Sequence, residues 1–337
     1  MAGPAGIREV AAHAGVSVGT VSNVLNRPAQ VSEGTRGKVE RAMVELGFVR
    51  NSPAGALRAG RSTSLGLVVL DIGNPFFTEM ARGVEQAASE RGHAVLLCNS
   101  DGSRSRQGIH LTFLEEQRVG GVLVTPVDSD TTHLDLLRAR GTAVVLLDEP
   151  GRDDRCSVAV DDVCGGELAI GHLLQLGRRN IVYIGGPASI RQSTDRGEGA
   201  ARAVVAAGLS PRRVLRRVVI PALNGGEGHQ AVPAILEGRP DAVFCANDVV
   251  ALGVLRGLIE AGLSVPDDVA LIGYDDIEFA ATAAVPLTSI RQPAQQLGRT
   301  AASLLLDEMT DAPGHVHQQV IFRPELIVRR STVGPAS

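Results

Sequence analysis

Lysine is almost missing from this chain: Lys38 is the only one, which removes Schiff-base chemistry from the long stretch that follows it. The four cysteines, Cys98, Cys156, Cys164 and Cys245, are scattered without a close C-x-x-C pair, so reduced, buried thiols are expected and neither a metal nor a cofactor is. His315 and His317 could face one side of a strand, but two histidines without further ligands read as a solvated edge. No apolar run approaches the roughly 20 residues that span a bilayer. The first residues lack the charged start and apolar core of an export signal, so a cytoplasmic protein with no membrane partner is expected. The G-x-x-x-x-G-K-[ST] loop, the G-x-S-x-G elbow and the H-E-x-x-H motif are all absent. The neighbouring carboxylates Asp161-Asp162 and Asp275-Asp276 diverge along the chain rather than flanking one bond. No catalytic residues, and no enzyme, are expected.

What is present is length and an uneven charge. A chain of 337 residues, 44% hydrophobic, suits two or three folding units with a sizeable interior. Its net charge of -4 hides a contrast: residues 1–61 hold eight basic side chains against four acidic ones, which leaves -8 on the rest. Only the head is suited to a phosphate backbone.

Residues 7–26 read as two short helices broken at Ala14-Gly15-Val16, where Gly15 permits a left-handed turn and Ser17 can cap the second helix. At about 100° per residue, Val21, Val24 and Leu25 share a face that can pack on Val10, Ala11 and Ala14. Gly19, Asn23 and Asn26 lie roughly opposite. That is a helix-turn-helix whose second helix can enter a DNA major groove, with Val18 near a thymine methyl and Asn23 able to pair with adenine. A third helix from Ser32 to about Leu46 closes a small core through Val39, Ala42, Met43 and Leu46, and Gly47 stops it. Residues 51–61 have a linker's composition, and an isolated segment so short does not hold a helix in water.

From Leu65 onward, apolar runs alternate with helical stretches. Strands are expected at 65–70, 94–98, 121–124, 143–147, 158–160, 181–184, near 218, and at 242–245 and 269–272. Helices are expected near 75–91, 104–118, 132–140, 163–176, 194–207, 228–236 and 249–261. Such alternation implies parallel sheets flanked by helices, and so many units suggest two sheets with a cleft between them. Asp71, Asp148, Asn247, Asp248, Asp275 and Asp276 each follow an apolar run, the place where open parallel sheets bind ligands. Phe76, Phe77, Tyr274 and Phe279, four of nine aromatics, fall at the same edges. Carboxylates, an amide and aromatic faces together suit a small polyol such as a sugar.

The run Ala-Gly-Val-Ser-Val-Gly-Thr-Val-Ser-Asn-Val-Leu-Asn at 14–26, with Val31-Ser32, Thr35-Arg36 and Glu45-Leu46-Gly47-Phe48, closely resembles the head of the lactose/galactose repressor family of bacterial transcription regulators. The resemblance continues through Asn74-Pro75-Phe76-Phe77, Gly185-Gly186-Pro187, Asn247-Asp248, Gly273-Tyr274-Asp275-Asp276 and residues 286–293. It implies an α/β chain with a three-helix head at 1–50, a hinge at 51–62, and a two-lobed, periplasmic-binding-protein-like effector domain at 63–337. Lobe 1 would take 63–160 and 292–322, and lobe 2 would take 161–291 and 323–331. The DNA-binding positions it implies are Ile7, Ser17, Val18, Gly19, Thr20, Ser22, Asn23, Asn26, Ser32, Thr35, Asn51, Ala54 and Leu57. Small hydroxyl and amide groups at helix starts suit phosphates, and Leu57 matches a leucine that wedges into the minor groove when the hinge becomes helical on DNA. In the cleft, the resemblance makes Phe76 and Phe77 walls, and it makes Asp148, Arg196, Asn247, Asp275 and Gln292 hydrogen-bonding groups, with Asn74 beside them. Asp248 and Asp276 are expected to cap neighbouring elements.

Departures from the family pattern are Gly55 and Asn23, where arginine is common, and Arg50, where proline often stands. Direct base reading is therefore expected to be modest. The tail beyond Arg330 carries no heptad, which makes a homodimer the simplest assembly and a near-palindromic operator its partner. The expected function is an effector-controlled repressor. The alternative, a solute-binding protein of a transport system, has no use for a basic helical head.

Overall fold

The computed structural model describes residues 5–48, 62–151, 154–310 and 314–334. Residues 1–61 and 62–337 form two compact units. In the first, α1 (Ile7–Ala14) ends at Gly15, whose φ of 66° makes the turn that a side chain would strain. Helix α2 (Val18–Asn26) starts at Ser17, whose hydroxyl accepts the Thr20 N–H at 3.0 Å. A 3-10 turn at Pro28–Gln30 leads to α3 (Glu33–Glu45). Val10, Ala11, Val21, Val24, Val39 and Ala42 form the core, with Leu25, Met43 and Leu46 at its rim. The expected hinge, including Asn51, Ala54 and Leu57, lies outside the described residues except at Ser62.

The second unit contains two six-stranded sheets. The first is built from β1 (Ser64–Val69), β2 (Ala94–Asn99), β3 (Gly121–Val124), β4 (Ala143–Leu147), β5 (Ser157–Val160) and β11 (Gln319–Phe322). Their order is β11-β5-β4-β3-β1-β2, and every pairing is parallel. The second holds β6 (Ile181–Gly185), β7 (Leu215–Val219), β8 (Ala242–Cys245), β9 (Ala270–Asp275), β10 (Thr288–Arg291) and β12 (Glu325–Ile327). Its order is β12-β10-β9-β8-β6-β7, parallel except where β12 meets β10. The apolar runs of the inner strands β1, β3, β4, β6, β8 and β9, and of β5, are buried on both faces because helices cover both sides of such sheets.

Those helices are α4 (Pro75–Glu90), α5 (Arg104–Glu116), α6 (Thr132–Ala139) and α14 (Ala294–Thr310) around the first sheet. Around the second are α7 (Asp162–Gln175), α8 (Arg191–Ala206), α9 (Pro211–Val214), α10 (Gly225–Gln230), α11 (Val232–Leu236), α12 (Asp248–Glu260), α13 (Glu278–Thr282) and α15 (Arg330–Val333). The helix expected at 228–236 is thus two. Pro233, which lacks an N–H, sits in the first turn of the second piece, where that donor is not needed. Helices α9 and α13 were not expected, being too short to show a period.

Helix pairs in both lobes come into backbone contact, among them α4 with α14 in the first and α7 with α8 in the second. A Cβ on Gly83 of α4 would stand 2.0 Å from the Gln295 carbonyl oxygen, and one on Gly298 of α14 would stand 2.0 Å from that of Met80. In the other lobe, a Cβ on Gly166 of α7 would stand 2.1 Å from the Arg196 oxygen, and one on Gly199 of α8 would stand 1.9 Å from that of Val163. The chain passes between sheets after β5, between β10 and α14, and between β11 and β12. Both sheets reverse strand order in the middle, at β3-β1 and at β8-β6, so each offers a crevice beyond its carboxyl edge.

Candidate DNA interface and ligand cavity

The outward face of α2 is small and polar. Val18 is 44% exposed, and Gly19, Asn23 and Asn26 are exposed as well, while Thr20 and Ser22 are half-buried. Asn26 donates to the Ser22 carbonyl at 2.9 Å and to its hydroxyl at 3.2 Å, which rigidifies the last turn. At the start of α3, the Ser32 hydroxyl donates to Thr35 Oγ1 at 2.9 Å and makes no capping bond to the backbone. Ser17 and Thr20 likewise pair hydroxyls at 2.9 Å. Two helix starts therefore present hydroxyls beside first-turn N–H groups that have no intrahelical acceptor, an arrangement that receives phosphate oxygens. Ile7 is half-buried and packs on the core at the beginning of α1.

In the second unit, a cavity of about 240 Å3 lies where the two crevices face each other. Leu70 and Asp71 follow β1 and Val127 follows β3, while Pro187 and Ile190 follow β6 and Asn247 follows β8. Asn74, Phe76, Phe77, Asp148, Arg196, Asn247 and Asp275 all line it. Phe76 and Phe77 meet edge to face, with ring centroids 5.1 Å apart. Asn74 caps α4 by accepting the Phe76 N–H at 3.0 Å, and its Nδ2 donates to Asp275 Oδ2 at 3.0 Å, which links the lobes. Asn247 caps α12 through Val250 N at 2.8 Å and donates to the Leu223 carbonyl at 3.2 Å.

Buried charge dominates the far wall. Arg196 donates to Asp162 Oδ1 at 2.8 Å and to the Ala246 carbonyl at 2.6 Å, stands 3.9 Å from Asp275 Oδ1, and lies 3.7 Å above the Tyr274 ring. Burial works against its charge, but Asp162, Tyr274, Asp275 and Asp148 outweigh that and hold Arg196 above its ordinary value. Burial lifts Asp275 to about 6, although Arg196, Asn74 and Gln292 pull the other way. Asp148 is pushed well up, first by burial and then by the like charge of Asp162. Its Oδ1 is buried with no partner among the described residues. Asp148 and Asp275 also hold positive φ, 55° and 104°, at strand ends, which is backbone strain kept at a cavity wall.

The head, residues 6–51, matches the family of bacterial regulatory proteins of the lacI type, and residues 170–332 match a periplasmic binding protein-like domain. The ribose operon repressor of Escherichia coli (strain K12) is 35% identical over 329 residues, covering 96% of this chain and 99% of the repressor. The chain belongs to the LacI family. The HTH-type transcriptional repressor PurR of Photobacterium profundum is 33% identical over 332 residues, covering 96% of this chain and 98% of that repressor. The crystal structure of the Lac repressor dimer bound to operator and the anti-inducer ONPF superposes with a TM-score of 0.83 at 27% identity, over 98% of this chain and 99% of that one. This LacI-family member is a DNA-binding transcription regulator with a two-sheet effector domain. Among its described residues, no helix is long and apolar enough to cross a membrane.

Some residues of this LacI-family cavity stand elsewhere than expected. Gln292 does not line it; its Nε2 donates to Asp275 Oδ1 at 2.7 Å from behind. Tyr274 is buried, with its ring face against Arg196, and Phe279 is 57% exposed at the border of a separate cleft, so neither offers a stacking face to the cavity. Asp248 does support a neighbouring element, accepting Ile277 N at 2.9 Å and the Ser289 hydroxyl at 2.7 Å. Asp276 instead pairs with Arg291 at 2.7 Å and Arg329 at 2.6 Å. Gln192 was missed: it lines the cavity and donates to the Asp148 carbonyl at 2.7 Å. Its spacing of four from Arg196 on one helix would have shown it.

The histidine expectation needs correction. His315 and His317 are half-buried and converge with Cys156 and Glu308, all four ligand atoms lying within 4.8 Å of one another. Two more side chains with ligating atoms therefore stand beside the histidines. They come from positions far apart in sequence, Cys156 through the pairing of β11 with β5 and Glu308 from the last turn of α14.

Proposed function

We propose that the protein is a homodimeric repressor whose grip on a near-palindromic operator is set by a sugar bound between the two lobes. The observation that carries this reading is the cavity. It is smaller than the roughly 300–1,000 Å3 usual for drug-sized ligands, and it pairs an aromatic corner at Phe76 and Phe77 with Asp148, Arg196 and Asp275. Vicinal hydroxyls satisfy carboxylates and a guanidinium in pairs, and a sugar's C–H face fits against a ring. The unpartnered Asp148 Oδ1 supports the same reading, because a ligand hydroxyl would supply its missing donor.

In the head, Ser17, Thr20, Ser22, Asn26, Ser32 and Thr35 are assigned to phosphates, Val18, Gly19 and Asn23 to base edges, and Ile7 to the approach of α1. Asn51, Ala54 and Leu57 are assigned to the hinge on DNA. The effector acts only through its difference in affinity for two lobe arrangements, one of which suits the operator. The roles proposed here are those of binding and release, without turnover.

The test is a thermal-shift and calorimetric screen of pentoses, hexoses, nucleosides and purine bases, followed by titration of operator fragments with and without each hit. A ligand at a hundred times its dissociation constant adds about 2.7 kcal/mol of stability. A sugar that binds and changes operator affinity supports the proposal. Binding by purines alone would replace the effector class, and the absence of any preferred genomic fragment would reject the function.

A further inference from the structure

Cys156 immediately precedes β5, Glu308 lies in the last turn of α14, and His315 and His317 occupy the approach to β11. Their ligand atoms meet within 4.8 Å, away from the residues that line the cavity. Cys156 Sγ stands 3.1 Å from His315 Nε2 and 3.8 Å from His317 Nδ1. The two rings are 5.5 Å apart at 70°, so they approach the sulfur from different directions. Ligands bound tetrahedrally to zinc through sulfur and nitrogen stand about 3.5 Å from each other, and the two observed separations bracket that value. Glu308 Oε2 is buried without a partner among the described residues, a condition that buried carboxylate oxygens rarely tolerate. The Gln318 N–H donates to the sulfur at 3.3 Å, as outer-shell donors do toward metal-bound thiolates.

We infer that Cys156, Glu308, His315 and His317 form a zinc site that fastens the end of α14 and edge strand β11 to β5. A thiolate and two imidazoles select a borderline-soft ion over magnesium or calcium. Four protein ligands fill a tetrahedron and leave no position for substrate, so the site is structural. One contact must give way. A ring bound through Nδ1 carries its proton on Nε2, where Arg138 Nη2 lies 3.5 Å from His317, and Arg138 keeps its 3.0 Å pairing with Asp154 when that long contact opens.

The test uses the full chain, purified under reducing conditions, stripped with a chelator and titrated with cobalt(II) and then zinc. A thiolate-to-cobalt charge-transfer band with intense tetrahedral d–d bands, both erased by stoichiometric zinc, is the expected result. The charge-transfer band is lost in Cys156→Ser, and the d–d intensity falls in His317→Gln, with circular dichroism confirming that each variant folds. A wild-type spectrum without a thiolate band, or one that survives intact in Cys156→Ser, overturns the inference, whether or not the His317 variant folds. Zinc also raises the melting temperature of the wild type and leaves that of Cys156→Ser unmoved; equal shifts in both would count against the site.

Discussion

Asn74 and Asp275, 201 positions apart, are joined by a single 3.0 Å hydrogen bond that ties the N-terminus of α4 to the end of β9. The same carboxylate faces the cavity, so a ligand donor there competes with or supplements this link. Asn74→Ala removes the link and leaves a buried carboxylate oxygen short of a donor, a cost of about 1–3 kcal/mol. Calorimetry with the effector is expected to show affinity changed by about tenfold or more. The operator affinity of the ligand-free protein should hold within a few-fold. Unchanged ligand binding would mean that the bond is incidental to the cavity.

Asp275→Ala is expected to abolish the effector response in an operator titration while leaving basal operator binding intact. Simultaneous loss of both would make Asp275 a structural residue.

The pH dependence follows from the direction of the Asp275 shift. Its folded value of about 6 lies above the ordinary 3.8, so the folded chain holds a proton that the unfolded chain has lost between these values. The contribution of Asp275 to stability is therefore greatest below about pH 4 and is lost as pH rises through 6. Thermal unfolding of Asp275→Asn should show a flatter profile than wild type across that window. A hydroxyl donor prefers the carboxylate, so sugar affinity should strengthen as pH rises through 6. A pH-independent affinity would place the ligand away from this group.

Two glycines of one helix should respond in opposite directions to the same substitution. Gly166→Ala drives a methyl to 2.1 Å from the Arg196 carbonyl oxygen and should cost about 1–3 kcal/mol or more. Gly171→Ala meets nothing within 4 Å and should gain up to about 1 kcal/mol. Denaturant midpoints of the two variants check the close seating of α7 on α8, and equal effects would refute it.

Binding of operator fragments should weaken steeply with salt, by about 0.9 in log affinity per log salt for each phosphate neutralised. Leu57→Ala should reduce specific binding much more than non-specific binding. Equal losses would reject a minor-groove wedge.

Much of this was readable in advance because the determinants are local. Strands at 121–124, 143–147 and 242–245 coincide with the runs that named them, since double burial in a parallel sheet demands uninterrupted apolar residues. The strand-end polar groups were legible for the same reason, as the fold places those ends at the crevice. Partnership was not legible. Nothing in the order of residues shows that Tyr274 turns its ring to Arg196, that Gln292 stands behind Asp275, or that Cys156 meets His315, because each pair is set by sheet register and helix packing.

The contact of α4 with α14 at Gly83 and Gly298 leaves no room for side chains to slide or rearrange between the two helices. Whatever tugs on Asn74 at the tip of one is therefore expected to carry both along as a single strut. A displacement beside the effector is then expected to reach the opposite ends of these rods as a shared movement of the pair rather than as a shift of one helix past the other.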